Sequence, residues 1–295
     1  MIRLKPACAQ CLASKYTEKC PKDAAPETVA LYQQKVREII ANADPSVPAP
    51  VVVRDINDMR EALVGSRVVY SDIKSHFNQL MLSKEDFVRK QLASAEDPLL
   101  MGIRYAITGN FIDFGAFKNV DEKLLENALF QAEELTFDMA HYEELRANLA
   151  SSRKLVYLTD NCGEVVMDKL VIEVLKKLHP NLQITVIVKG AEVLNDATME
   201  DALEVGLPDV VPVIDNGNNI AGSWLPEFSP QAMAVVEEAD LILSKGQANF
   251  ETLRCCGRNI YYMFLCKCDF FADTFGVPLL TAMLTTDKEI ARLEN

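Results

Sequence analysis

Five short polar stretches each follow an apolar run, and together they suit phosphate-ester chemistry. Asp160-Asn161 closes the run Leu155 to Thr159, and Lys189-Gly190 closes Ile184 to Val188 with Asn195-Asp196 just beyond. Asp215-Asn216 follows Val210 to Ile214, Ser244-Lys245-Gly246 follows Leu241 to Leu243, and Lys267 follows Ile260 to Phe264. Carboxylate and amide oxygens suit a hard divalent cation such as magnesium or manganese, and lysines suit the phosphate that such a cation helps to bind.

The most informative stretch is Asp160-Asn161-Cys162-Gly163-Glu164. Gly163 permits a sharp turn or a close backbone approach, and Glu164 opens a helix whose dipole favours its charge. A capped strand-to-helix turn explains this stretch if it is taken alone. A second acidic turn, Asn195-Asp196-Ala197-Thr198, would set two carboxylates side by side, and like charges so placed favour a cation between them.

The elements that must position these residues change character near residue 151. From about 27 to 150 the period is helical: Val29, Tyr32, Val36, Ile39 and Ile40 share one face, and a further helix is expected after Ser71, with its hydroxyl as cap. Three prolines make Asp44 to Pro50 a loop. Leu99 to Ile107 and Asp121 to Leu149 continue the helical half. Beyond residue 152, short apolar runs alternate with helices expected at Glu164 to Leu178, Ala197 to Val205 and Pro230 to Ala239. This pattern predicts a Rossmann-like α/β fold, a doubly wound and mainly parallel sheet with right-handed crossovers. The expected division is a helical domain over 1–150 and a catalytic domain over 151–295. Ligands gather at the carboxyl edge of such a sheet.

The 295 residues are 49% hydrophobic and 25% charged, as in an ordinary globular chain. A net charge of −13 argues against nucleic acid and anionic membranes as partners, since both are held by Lys and Arg. No run nears the roughly 20 apolar residues that span a bilayer, and Met1 to Lys15 lacks the apolar core of a secretory signal, so a cytoplasmic location is expected. The eight cysteines then read as thiols rather than disulfides. Cys8-x-x-Cys11 with Cys20 is compatible with a structural thiol cluster or a metal site, although a fourth zinc ligand is missing nearby.

Several stretches are similar to the signatures of the damage-control metal phosphatases, once catalogued as domain-of-unknown-function family 89. They are D-N-C-G-E at 160–164, N-D-A-T-M-E-D-A at 195–202, S-K-G-Q-A-N-F-E at 244–251, Y-S-D-I-K at 70–74, D-P-L at 97–99 and G-N-F-I-D-F-G at 109–115. With Cys8-x-x-Cys11, the chain resembles the cysteine-motif subfamily of prokaryotes and archaea. The resemblance implies one divalent metal (Mn, Mg, Co or Ni) on Asp160, Asn161 and Asp196. It also implies a small phosphorylated metabolite, such as a sugar phosphate, as substrate, with Lys267 on its phosphate. Asn110 and Asp113 would face the cleft, and Glu164, Lys245 and Asn249 join them as expected substrate contacts. Phe264-Leu265-Cys266 departs from the Arg and Thr that eukaryotic relatives carry ahead of the late lysine.

The expected activity is hydrolysis of phosphomonoesters. The cation would polarise a phosphoryl oxygen and acidify a water, Lys245 and Lys267 would offset charge, and Asp160 or Asp196 would orient the water. Direct attack by Asp160 is the alternative route. Two other functions compete: a non-catalytic phosphometabolite-binding module, and a protein-carboxylate methyltransferase. Against the latter, Lys189-Gly190 stands where an adenosylmethionine site would want an acid.

Overall fold

Side chains alternate between two buried faces along each central strand, so the sheet must be covered on both sides. In a computed structural model, which describes residues 4–20, 24–65, 69–112 and 122–293, the strands are β1 (Lys154–Leu158), β2 (Gln183–Val188), β3 (Val213–Asp215), β4 (Leu241–Lys245), β5 (Ile260–Leu265) and β6 (Ala282–Thr286). Their order across the sheet is β3-β2-β1-β4-β5-β6, parallel throughout except for β6, which runs antiparallel to β5. Chain order reverses between β1 and β4, where crossovers leave on opposite faces and open a crevice.

Among the described residues eight helices precede the sheet: α1 (Pro6–Tyr16), α2 (Pro26–Asn42), α3 (Ala49–Val64), α4 (Ser71–Leu82), α5 (Glu85–Ser94), α6 (Pro98–Gly109), α7 (Glu122–Phe130) and α8 (Met139–Ser151). Between and after the strands come α9 (Glu164–Leu178), α10 (Met199–Glu204), α11 (Pro230–Glu237), α12 (Gln247–Leu253), α13 (Asp269–Phe275) and α14 (Asp287–Leu293). Leu155, Tyr157, Val186, Leu243 and Met263 point to one face, under α4, α6, α8 and α9. Val156, Leu158, Ile242, Tyr262 and Phe264 point to the other, under α11 to α14. Helices α1 to α3 close around their own cluster of Tyr16, Tyr32, Val36, Val52 and Ile56.

Packing crosses the boundary expected at residue 151. Ile103 and Ala106 of α6 and Leu145 of α8 share one continuous core with Val166 and Leu170 of α9 and with β1. Other local differences have local causes. Ser71 is the first residue of α4 rather than its cap, which is Tyr70 with no side-chain bond. The helical stretch expected over 121–149 breaks into α7, a 3-10 turn at Ala132–Glu134 and α8, whose cap Asp138 accepts from Ala140 N. Strand β6 was not expected. After the seven residues of α13 the chain folds back on the end of β5, where Leu280 N donates to Cys266 O at 2.7 Å and Cys266 N to Thr281 O at 3.0 Å. The next strand therefore starts beside the end of β5 and runs the other way.

Candidate active site

The two turns that leave β1 and β2 are stitched together by backbone. Ala197 N donates to Asp160 O at 2.7 Å, Cys162 N donates to Asn195 O at 2.8 Å, and Asn161 and Asp196 face each other as an isolated antiparallel bridge. This brings Asp160 and Asp196, each 4% exposed, to one place at the carboxyl edge of the sheet. Asn161 Oδ1 accepts from Asn195 Nδ2 at 2.9 Å, which leaves the second lone pair of that oxygen available.

Asn110, at the end of α6, is fully buried and ties three elements to this point. Its Nδ2 donates to Asp160 Oδ2 at 2.9 Å and to both Glu164 oxygens at 3.0 and 3.2 Å, while its Oδ1 accepts from Leu265 N at 3.1 Å. Asn161 Nδ2 makes the same choice, donating to Asp160 Oδ2 at 2.7 Å and Glu164 Oε2 at 2.9 Å. Glu164 therefore turns inward at the start of α9 instead of merely facing the helix dipole.

Behind Glu164 lies a wholly buried ion cluster. Lys245 Nζ contacts Glu164 Oε1, Asp168 Oδ1 at 2.8 Å and Ala106 O at 2.9 Å, and Tyr157 OH donates to Asp168 Oδ1 at 2.7 Å. Burial pushes the Asp168 carboxyl up to about 6, against the Lys245 charge. Burial alone would lower the Lys245 ammonium, but the carboxylates of Asp168 and Glu164 outweigh it and hold the ammonium above its ordinary value.

These contacts differ from the expectation for Lys245, whose three N–H donors are spent on protein oxygens rather than on a ligand phosphate. Asn249 is likewise taken up by the protein. Its Nδ2 donates to Thr159 O and Lys245 O, and its Oδ1 accepts from Lys189 Nζ at 3.1 Å and Ser223 Oγ at 2.8 Å.

Lys189, buried at the end of β2, also donates to Gly222 O at 2.7 Å and lies 3.6 Å from Asp196 Oδ2. Lys267 is half-buried after β5, with its backbone N held by Gln247 Oε1 at 2.8 Å. Asp113 lies outside the described residues. Sequence reasoning missed Asp168 and the pairing of Lys189 with Asp196. The i, i+4 spacing of Glu164 and Asp168 on α9 was a legible signal, because it puts both carboxylates on one helix face.

Among the described residues no group of three or more His, Cys, Asp or Glu is placed to hold a metal, Cys8, Cys11 and Cys20 included. Cys20 packs with the core of α1 to α3. Burial, then the charges of Glu251 and Cys268, push the Cys8 thiol up to about 11. The set able to take a cation pairs two aspartates with an amide oxygen. Four carboxylates (Asp160, Glu164, Asp168, Asp196) against two ammoniums (Lys189, Lys245) leave two negative charges around these turns, and oxygen donors with that excess fit a hard divalent ion.

A family model described as the damage-control phosphatase ARMT1-like domain matches residues 4–283. An uncharacterised protein of Methanocaldococcus jannaschii is 30% identical over 94% of this chain and 93% of its own length. A damage-control phosphatase of Archaeoglobus fulgidus is 27% identical over 94% of this chain and 96% of its own. The crystal structure of a DUF89 family protein from Pyrococcus horikoshii shares the fold, with a TM-score of 0.79 and 23% identity over 97% of this chain and 100% of that one.

Proposed function

This chain belongs to the damage-control phosphatase ARMT1-like family, and we propose that it hydrolyses small phosphomonoesters using one divalent cation held by Asp160, Asn161 and Asp196. The family and its relatives named as damage-control phosphatases support phosphatase chemistry. The observation that carries the cation is the joining of two buried aspartates and an amide oxygen at the crevice between β1 and β4, in a shell with two excess negative charges.

A divalent ion bound there supplies polarisation of a phosphoryl oxygen. The chain's own residues do the rest. Asn110 and Asn161 hold the Asp160 carboxylate by its Oδ2, so that its remaining lone pairs point in fixed directions. Lys189 limits the repulsion between Asp196 and the incoming phosphate. Lys267, half-buried beside the crevice, receives the phosphate dianion as a point charge. Lys245 acts indirectly, neutralising Glu164 so that the carboxylate can stay buried against Asn110 and Asn161.

Turnover of p-nitrophenyl phosphate by chelator-treated protein, with Mn, Mg, Co or Ni added back singly, tests the proposal. Hydrolysis restored by at least one ion, and lost in Asp196→Asn, is the expected result. Equal turnover with and without chelator would sink the cation role, and no turnover under any condition would sink the hydrolase.

A further inference from the structure

Helix α4 inserts a buried polar pair between the two turns that carry Asp160 and Asp196. Lys74 and Asn78 are one helical turn apart, on the same face, and are 4% and 0% exposed. Asn78 Oδ1 accepts from Gly163 N at 2.6 Å, two residues beyond Asn161. Its Nδ2 donates to Asp201 Oδ1 at 3.0 Å and to Glu204 Oε2 at 2.6 Å. Asp201 is in turn held by Lys74 Nζ at 2.6 Å, and its Oδ2 accepts from Thr198 N and Thr198 Oγ1 at 2.8 and 2.9 Å. Thr198 lies two residues beyond Asp196. One amide thus links the Asp160 turn to the Asp196 turn through rigid intermediates.

Close packing leaves the Asp160 turn little room to reach another position. Gly163 has φ +67°, and a Cβ there would lie 2.8 Å from Ile112 Cδ1 and 3.0 Å from Phe77 O. Packing alone does not require an amide at position 78, because Phe77 and Met81 already anchor α4 in the core, and a buried polar side chain is costly unless every valence is met. The valences of Asn78 are met by Gly163 N in the first turn and by Asp201 and Glu204 of α10, the helix into which the second turn leads.

We propose that Asn78 is a positioning residue that sets the separation of the Asp160 and Asp196 carboxylates, and so the affinity for the cation. It rests on the assignment of Asp160, Asn161 and Asp196 as cation ligands. Asn78→Leu removes both links and puts an apolar side chain of similar size in the same place. In the triple variant N78D/D201N/E204Q a carboxylate at position 78 can accept from Gly163 N and from amides at positions 201 and 204, so the links can form again with donor and acceptor reversed.

Calorimetric titration of the apo proteins with MnCl2, beside their thermal melts, tests the idea without using activity. Wild type is expected to bind, N78L to bind at least tenfold more weakly, and N78D/D201N/E204Q to recover to within about threefold. Tyr142→Phe, which loses only the bond from Tyr142 OH to Asp97 far from the turns, controls for general destabilisation and is expected to lower the melting temperature without changing Mn affinity. If N78L does not fold, Asn78→Ser takes its place with the same expectation. An unchanged affinity in the folded single variant, or a folded triple variant as weak as the single, overturns the positioning role. A wild type that binds no Mn overturns the ligand assignment together with it.

Discussion

The Cβ that Gly246 lacks would fall 1.9 Å from Oδ2 of Asp160. Gly246 begins the turn after β4 with φ +80°, and its N–H donates to Met263 O at 3.0 Å, so neither residue can move away freely. Absence of a side chain at 246 is therefore a condition for the Asp160 carboxylate to sit where it does. Gly246→Ala is expected to displace Asp160 and to weaken Mn binding at least tenfold. Gly257, also at positive φ (+77°) but with nothing within 4 Å of its missing Cβ, gives the control. Gly257→Ala should cost only backbone strain, about 1 kcal/mol, and leave the Mn titration as in wild type.

Removal of the acids themselves should separate binding from stability. Asp160→Ala and Asp196→Ala are both expected to abolish Mn binding and turnover in folded protein. Their apo stabilities should differ, because Asn110 and Asn161 both donate to Asp160 and would keep only Glu164 as acceptor. A cost of about 1 to 3 kcal/mol is expected for Asp160→Ala in urea unfolding, with relief of carboxylate repulsion offsetting part of it. Wild-type turnover in either variant would remove that residue from the site.

Two lysines expected to touch phosphate should behave in opposite ways. Lys245→Met leaves Glu164 and Asp168 buried without their counter-ion, a loss of about 3 to 5 kcal/mol visible in denaturant unfolding. Lys267→Ala should leave stability and Mn affinity nearly unchanged. Its catalytic efficiency should fall about ten- to a hundredfold, from the loss of a charge-assisted contact worth roughly 1.5 to 3 kcal/mol. Unchanged efficiency would make Lys267 a solvated strand end.

Cys8 should be slow to alkylate at neutral pH. With its thiol pushed up to about 11 by burial and by the charges of Glu251 and Cys268, the thiolate fraction at pH 8 is on the order of a thousandth. Because the thiolate is the reactive form, iodoacetamide labelling followed by mass spectrometry should show the Cys8 rate climbing about tenfold per pH unit between 8 and 10. Rapid labelling at pH 7 would contradict the burial. Cys8→Ser should lower the melting temperature and keep turnover per folded molecule within about twofold.

The sequence by itself determined what depends on neighbours along the chain. Gly163 followed by Glu164 and an apolar 3.6-residue period set helix α9 at Glu164–Leu178, as expected. Apolar runs too short for helices marked β1, β2, β4 and β5, and a polar pair at the end of β1 marked the edge where Asp160 and Asn161 lie. Side-chain partners across the fold were decided by tertiary structure alone. The same residue type, lysine, ends up buried against carboxylates at 189 and 245 and half-buried after β5 at 267, although each simply ends an apolar run. The distinction arises because α6 and α9 close over β4 and exclude water from Lys245, while no such layer covers residue 267 completely. Asn78 stands 82 positions before Asp160, and β6 owes its direction to a fold-back after α13. Electrostatics and hydrogen bonding depend on burial and distance, and both are properties of the packed molecule, not of spacing along the chain.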